Sequence, residues 1–250
     1  MKKVFRLIEK ESVKFAQLPF FEFLVNKSID SIQKLSFAPC FALLIVGYAY
    51  LNKFVCLQAP TVNPIQYIVN KQIREEGNHS IWFLKDLQDL FNQFLNLTNS
   101  LKFNLSAQTV ICRKTIYKLY RRTFQINPIY KLLAIDSIET ISNIFLSITA
   151  PVAQQLKVIT NREYPSFANL HLLAENNHNI DSSETKNFIA TMHLAEDIRK
   201  QSCKLVNKTF ELFIALVDIL INFAEEYKIK QLLTRSFDGS NFARLLCGNL

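Results

Sequence analysis

The sequence predicts an all-α bundle of about seven to nine helices, folded as one domain over residues 1–250. Glycine is scarce, with 4 in 250 residues, and proline numbers 7. Few glycines leave few places for the tight turns of a many-stranded sheet. Apolar residues recur at spacings of three and four along most of the chain, which is the period of an amphipathic helix. Neither a repeat, a low-complexity tract nor a flexible linker divides the chain.

Helices are expected at 3–17, 20–35, 38–57, 63–97, 106–124, 127–149, 164–179 and 184–227, with a short one at 228–236. Pro60 and Pro64, Asn127-Pro128, Ala150-Pro151 and Tyr164-Pro165 mark the breaks. Proline fits the first turn of a helix, where its missing N–H has no intrahelical partner in any case. Asp181 followed by Glu184 reads as a cap opening the last long helix. That helix carries Leu205, Phe210, Phe213, Ile214, Val217, Leu220, Ile221 and Phe223 as one apolar stripe, with Glu211, Asp218 and Glu225 opposite. The 21 phenylalanines supply buried area in the same way.

The start, MKKVFRLIEKESVKF, interleaves acids with bases and is not a signal peptide. Residues 37–51 (FAPCFALLIVGYAYL) are uncharged but fall short of the roughly 20 apolar residues that span a bilayer. A buried helix is expected there, without a membrane partner. The five cysteines are odd in number and lack CxxC spacing, so they read as core side chains in a reducing, cytoplasmic compartment. The formal charge of +8 is partly concentrated in Arg113, Lys114, Lys118, Arg121 and Arg122. On a helix, all but Arg113 share one face. No nucleic-acid motif accompanies them, so a solvated face is expected and nucleic acid is not.

Four histidines, at 79, 171, 178 and 193, each lie three or four residues from a glutamate. Glu76 and His79 are separated by about 300° of helical rotation, and His171, Glu175 and His178 fall within roughly a 60° arc. Such carboxylate–imidazole spacing suits a metal site between helices. It equally suits a His79 packed beside Trp82 and a His171 bonded to a core carbonyl, and spacing alone leaves both open. His193, with Glu196 following, reads as structural. A phosphate loop, a nucleophile elbow and an HExxH motif are all absent from the sequence.

At three stretches the chain resembles the heme-oxygenase-like superfamily, in its non-heme di-iron oxidase and oxygenase branch. They are VNKQIREEGNHSIWFLKDLQDL (69–90), CRKTIYKLYRRTFQINPIYKLLAIDSIETISNIF (112–145), and NLHLLAENNHNI (169–180) followed by ALVDILINFAEEY (215–227). The resemblance implies a heme-oxygenase-like helical bundle holding one or two iron ions, with manganese compatible. Its metal ligands or their immediate neighbours would be Glu76, His79, Glu139, His171, Glu175 and His178. It implies an iron-dependent oxidoreductase that uses dioxygen on a small-molecule substrate, and is compatible with a homodimer. The sequence departs from the pattern twice. GYAYLN (47–52) offers only Tyr48 and Tyr50 where an acid is expected, and Gln72 stands where a histidine often does. The ligand set is therefore degenerate. The alternative is a bundle that has lost its metal site and serves as an interaction or regulatory protein. A metal-free thiaminase-like hydrolase would need a cysteine or carboxylates in the pocket, with Cys112 or Cys203 the ones to test.

Overall fold

The computed structural model describes residues 1–76, 79–91, 102–124, 127–168 and 183–226. Among them every regular element is helical, with ten α-helices. These are α1 (Lys2–Ala16), α2 (Pro19–Val25), α3 (Ser31–Lys34), α4 (Ala38–Leu51), α5 (Pro64–Glu75), α6 (His79–Phe91), α7 (Val110–Thr123), α8 (Pro128–Thr160), α9 (Ser183–Thr191) and α10 (Glu196–Glu226).

The count exceeds the expectation because three segments that apolar spacing runs together are divided. The expected helix 20–35 stops at Asn26, whose side chain takes the Ser28 N–H, and restarts where Asp30 caps the Gln33 N–H at 2.9 Å. The expected helix 63–97 ends as α5 at Glu75 and resumes as α6 at His79. The long final helix divides at 192–195, so His193 lies in an exposed connector rather than on a helix. There the Met192 carbonyl accepts from the Met1 ammonium at 2.8 Å.

Pro151 errs in the opposite direction. It does not end a helix at 149: α8 runs through it for 33 residues. Proline removes one hydrogen bond and crowds the preceding turn. Burial of Ala150, Val152, Ala153 and Leu156 on the adjoining face holds the helix together across it. The Asp181–Glu184 cap, most of helix 164–179 and helix 228–236 lie outside the described residues or their described side chains; residues 164–168 are non-helical.

α8 is the axis of the assembly. It packs against α1, α2, α3, α5, α7 and α10, while α4 lies on α6 and α7. α10 buries Val206, Phe210, Phe213, Val217 and Leu220 and leaves Glu211, Asp218 and Glu225 outside. Against the core, the partly buried Phe145 ring meets Phe20, Phe21 and Phe41 with centroids 5.2–5.6 Å apart. Ala38–Cys56 and Pro128–Thr160 are long and apolar enough to cross a membrane by length and composition, with 33% and 50% of their most apolar windows buried.

Two features fix the position of α4. Its last turn widens into a π-helical turn, Asn52–Cys56, closed by the Leu57 N–H on the Asn52 carbonyl at 2.9 Å. The fully buried Lys131 ammonium of α8 donates to the carbonyls of Val55 and Cys56 at 3.2 and 3.4 Å, capping that turn. Burial holds its pKa below the usual lysine value. Gly47 brings α4 against α7, where an added Cβ would stand 2.7 Å from Ile116 Cγ1. Gly47→Ala is expected to cost about 1–3 kcal/mol through this overlap. In a denaturant titration Ile116→Ala should recover part of that loss, and strictly additive losses would contradict the contact.

Candidate functional site

An apolar cavity of about 140 Å³ lies between α4, α6, α8 and α10. Its body is built by Phe37, Phe41, Leu44, Phe83, Phe145 and Phe213. At one end the wall turns polar, with Tyr48, Asn52, Glu76, His79 and Ser80. Tyr48 and Asn52 are four residues apart, so the end of α4 presents both on one face. Glu76 and His79 come from the junction of two helices, Glu76 closing α5 and His79 opening α6.

The sequence pairing of Glu76 with His79 is present, although the two do not share one helix. His79 Nδ1 lies 2.9 Å from Glu76 Oε2, and His79 is 8% exposed. A proton on Nδ1 donated to that carboxylate places the ring's lone pair on Nε2. The His79 ring also packs on Trp82 at 5.2 Å between centroids, as its plainer reading expects.

Glu139 sits on α8, facing α5. Both of its carboxylate oxygens accept from Gln72 Nε2, each at 3.0 Å. Gln72, which stands where the resemblance expects a histidine, is fully buried and orients that carboxylate. Tyr48, in the stretch where an acid is expected, has its hydroxyl pushed well above the usual phenol range. Burial is the main cause, and the carboxylates of Glu76 and Glu139 add to it. The Asn52 side chain works against that shift, yet neither the Tyr48 hydroxyl nor Asn52 Oδ1 completes a well-formed hydrogen bond. Tyr48 thus lies close to both acids, whereas Tyr50 is 62% exposed and stacks on Phe54.

Glu76, His79 and Glu139 are three of the six expected metal ligands. His171, Glu175 and His178 lie outside the described residues. Among the described residues no three His, Cys, Asp or Glu side chains are grouped to hold a metal ion.

Sequence reasoning missed three contributors. Asn52 is buried on the cavity wall, and the i, i+4 pairing of polar residues on an otherwise apolar helix could have found it. Thr149, 1% exposed, also lines the cavity, and its Oγ1 lacks a hydrogen-bond partner. Asp86 is fully buried on α6; its Oδ2 accepts the backbone N–H groups of Ser166 at 2.7 Å and Phe167 at 3.3 Å. Ser166 and Phe167 are themselves cavity wall, so Asp86 holds one side of the pocket shut. Its place one turn from Phe83 and beside Leu87 marks it in sequence as an acid on an apolar face.

Cys112 is fully buried, and burial pushes its thiol up to about 12. It is not part of the cavity wall. Cys203 is partly buried. A hydrolase built on a Cys112 thiolate therefore gains no support from the geometry.

No protein-family model matches the sequence, and no curated protein matches it significantly.

Proposed function

We propose that this chain is a small-molecule-binding helical protein. The Phe-rich cavity holds the apolar body of the ligand, and Tyr48, Asn52, Glu76 and His79 meet its polar end. Unsatisfied polar groups on the wall support this reading most directly. Among the described residues, the Tyr48 hydroxyl, Asn52 Oδ1 and Thr149 Oγ1 complete no well-formed hydrogen bond, and all three belong to residues lining this cavity. Each such buried group costs about 1–3 kcal/mol. A bound molecule, or water held with it, offsets that cost by supplying the missing partners.

The resemblance supplies the reaction class, an iron-dependent oxygenase or oxidase that uses dioxygen on this small molecule. The described donors do not form a metal-holding group by themselves. Metal binding on this reading needs His171, Glu175 and His178 in addition to Glu76, His79 and Glu139. Iron would then supply the oxidative chemistry, while the chain contributes donors, an apolar pocket and exclusion of water. At the polar end, the carboxylate of Glu76 sets the tautomer of His79, and Gln72 sets the orientation of Glu139.

Trp82 is the chain's one tryptophan and lies against His79, so its emission reports on the polar end of the cavity. Titration with benzylamine and benzyl alcohol, small enough for a cavity of this volume, should shift that emission saturably, and Ala49→Phe, which fills the cavity, should abolish the response. No response to either compound in the unmodified chain would remove the pocket reading. Iron content after anaerobic reconstitution tests the reaction class separately. Specific iron lost in both His79→Ala and His178→Ala supports the enzyme. A chain that binds ligand and takes up no iron or manganese is a binding or regulatory bundle.

A further inference from the structure

A second concavity lies where the exposed side of α10 meets the end of α7 and the start of α8. Gln201, Lys204, Leu205 and Lys208 follow the spacing i, i+3, i+4, i+7 and so form one stripe. The stripe faces Arg122 at the end of α7 and Tyr130 in the first turn of α8, and together they line a groove of about 350 Å³. Among the described residues its walls carry three cationic side chains and no carboxylate.

Lys204 and Lys208 are exposed, and Arg122 is the cation held out of an ordinary solvated face. Arg122 is half-buried, and its Nη1 donates to the Lys208 backbone carbonyl at 3.2 Å, which fixes the guanidinium across the groove. Burial is the main influence on it and lowers its pKa, while Glu211 acts in the other direction. No carboxylate of the described residues forms an ion pair with Arg122 or Lys204. Lys208 is bound by Glu211 on the next turn, outside the groove. Lys114, Lys118 and Arg121 on α7 are simply exposed. Arg122 therefore departs from the basic face it shares in sequence and turns into a pocket.

We propose that this groove binds the phosphoryl group of a phosphorylated small molecule. Arg122 supplies a planar fork already held in place, and Lys204 a second charge free to close on the oxygens. The Tyr130 hydroxyl and Gln201 amide add neutral donors, and Leu205 gives an apolar floor for the rest of the ligand. The positive end of the 33-residue α8 lies at the same rim. The phosphoryl group could be carried by a soluble metabolite or by a lipid headgroup, and the chemistry of recognition is shared.

Calorimetric titration of the full chain with inorganic pyrophosphate at about 0.1 M salt tests the site. Saturable binding is expected, weakened about tenfold by Lys204→Gln and by Arg122→Gln, the loss of one charge-assisted contact each. Lys114→Gln and Lys118→Gln on the neighbouring exposed face should leave it unchanged. Equal weakening by all four variants, or no binding at millimolar pyrophosphate, overturns the proposal. Lys204→Gln is an exposed change, so its result does not depend on whether Arg122→Gln folds. Vesicles of phosphatidylcholine with a minor fraction of phosphatidic acid, whose headgroup ends in a phosphomonoester, distinguish the sources. Sedimentation lost in Lys204→Gln assigns the phosphoryl group to a lipid; binding of pyrophosphate alone assigns it to a soluble ligand. Tighter, Lys204-independent binding of a short single-stranded RNA would overturn the small-molecule site.

Discussion

Raising the pH from 5 to 8 is expected to destabilise this protein, and Asp86→Asn should flatten that dependence. Burial pushes the Asp86 carboxyl up to about 7, against the opposing pull of two backbone N–H groups. An unfolded aspartate titrates near ~3.9. Between these values the native state keeps a proton that the unfolded state has lost. Stability therefore falls as pH rises: the contribution of Asp86 is complete below about pH 4 and is lost as pH passes through about 7. The full swing is about 4 kcal/mol. Lys85 and Asp89 act on the carboxyl in opposite senses, and Asp89 also pairs with Arg162 at 3.2 Å. Asparagine retains an oxygen for the Ser166 and Phe167 N–H groups and has no proton to lose. Thermal midpoints of both forms across this pH range decide the matter, and an unchanged slope in Asp86→Asn would remove Asp86 as the cause. Because Ser166 and Phe167 are cavity wall, loosening this turn at high pH should also weaken ligand retention.

Phe145→Ala is expected to lose about 3–5 kcal/mol. The ring contacts Phe15, Phe20, Phe21 and Phe41, and so joins α8 to α1, α2 and α4 at once. It is also part of the cavity wall. Truncation removes those contacts and merges the vacated volume with the existing space, where the surrounding rings cannot close over it without leaving their edge-on geometry. Urea denaturation should show a lower midpoint with unchanged steepness, and the pocket should then accept a bulkier ligand. A loss below about 1 kcal/mol would mean that the cluster repacks and that Phe145 does not organise it.

The helical class and the apolar face of α10 were legible in the residues, because burial imposes a period that survives in the sequence. Element ends were not. Asn26 and Asp30 act through local hydrogen bonds that apolar spacing does not register, and Pro151 is overridden by packing around it. At the site, the Glu76–His79 spacing did identify residues that meet, since the junction of α5 and α6 keeps them adjacent. Gln72 and Tyr48 were harder. Both stand where a ligand pattern has gaps, but in the fold Gln72 orients Glu139 and Tyr48 lies by two carboxylates, roles that depend on α4, α5 and α8 meeting. Thr149 and Asp86 are single polar residues on apolar faces. Each was visible as an anomaly, yet the wall it serves is assembled from residues far away in the chain.

Lys131 has a consequence for how wrongly packed states of the chain are penalised. Its ammonium reaches carbonyls 75 and 76 residues away in the sequence. The surrounding apolar faces would accept α8 in more than one register, as hydrocarbon surfaces tolerate repacking. A buried cation does not: one turn out of place, it is stranded without acceptors at a cost of several kcal/mol. Lys131 therefore contributes more to the uniqueness of the native arrangement than to its depth. It widens the energy gap to compact competitors by making them worse.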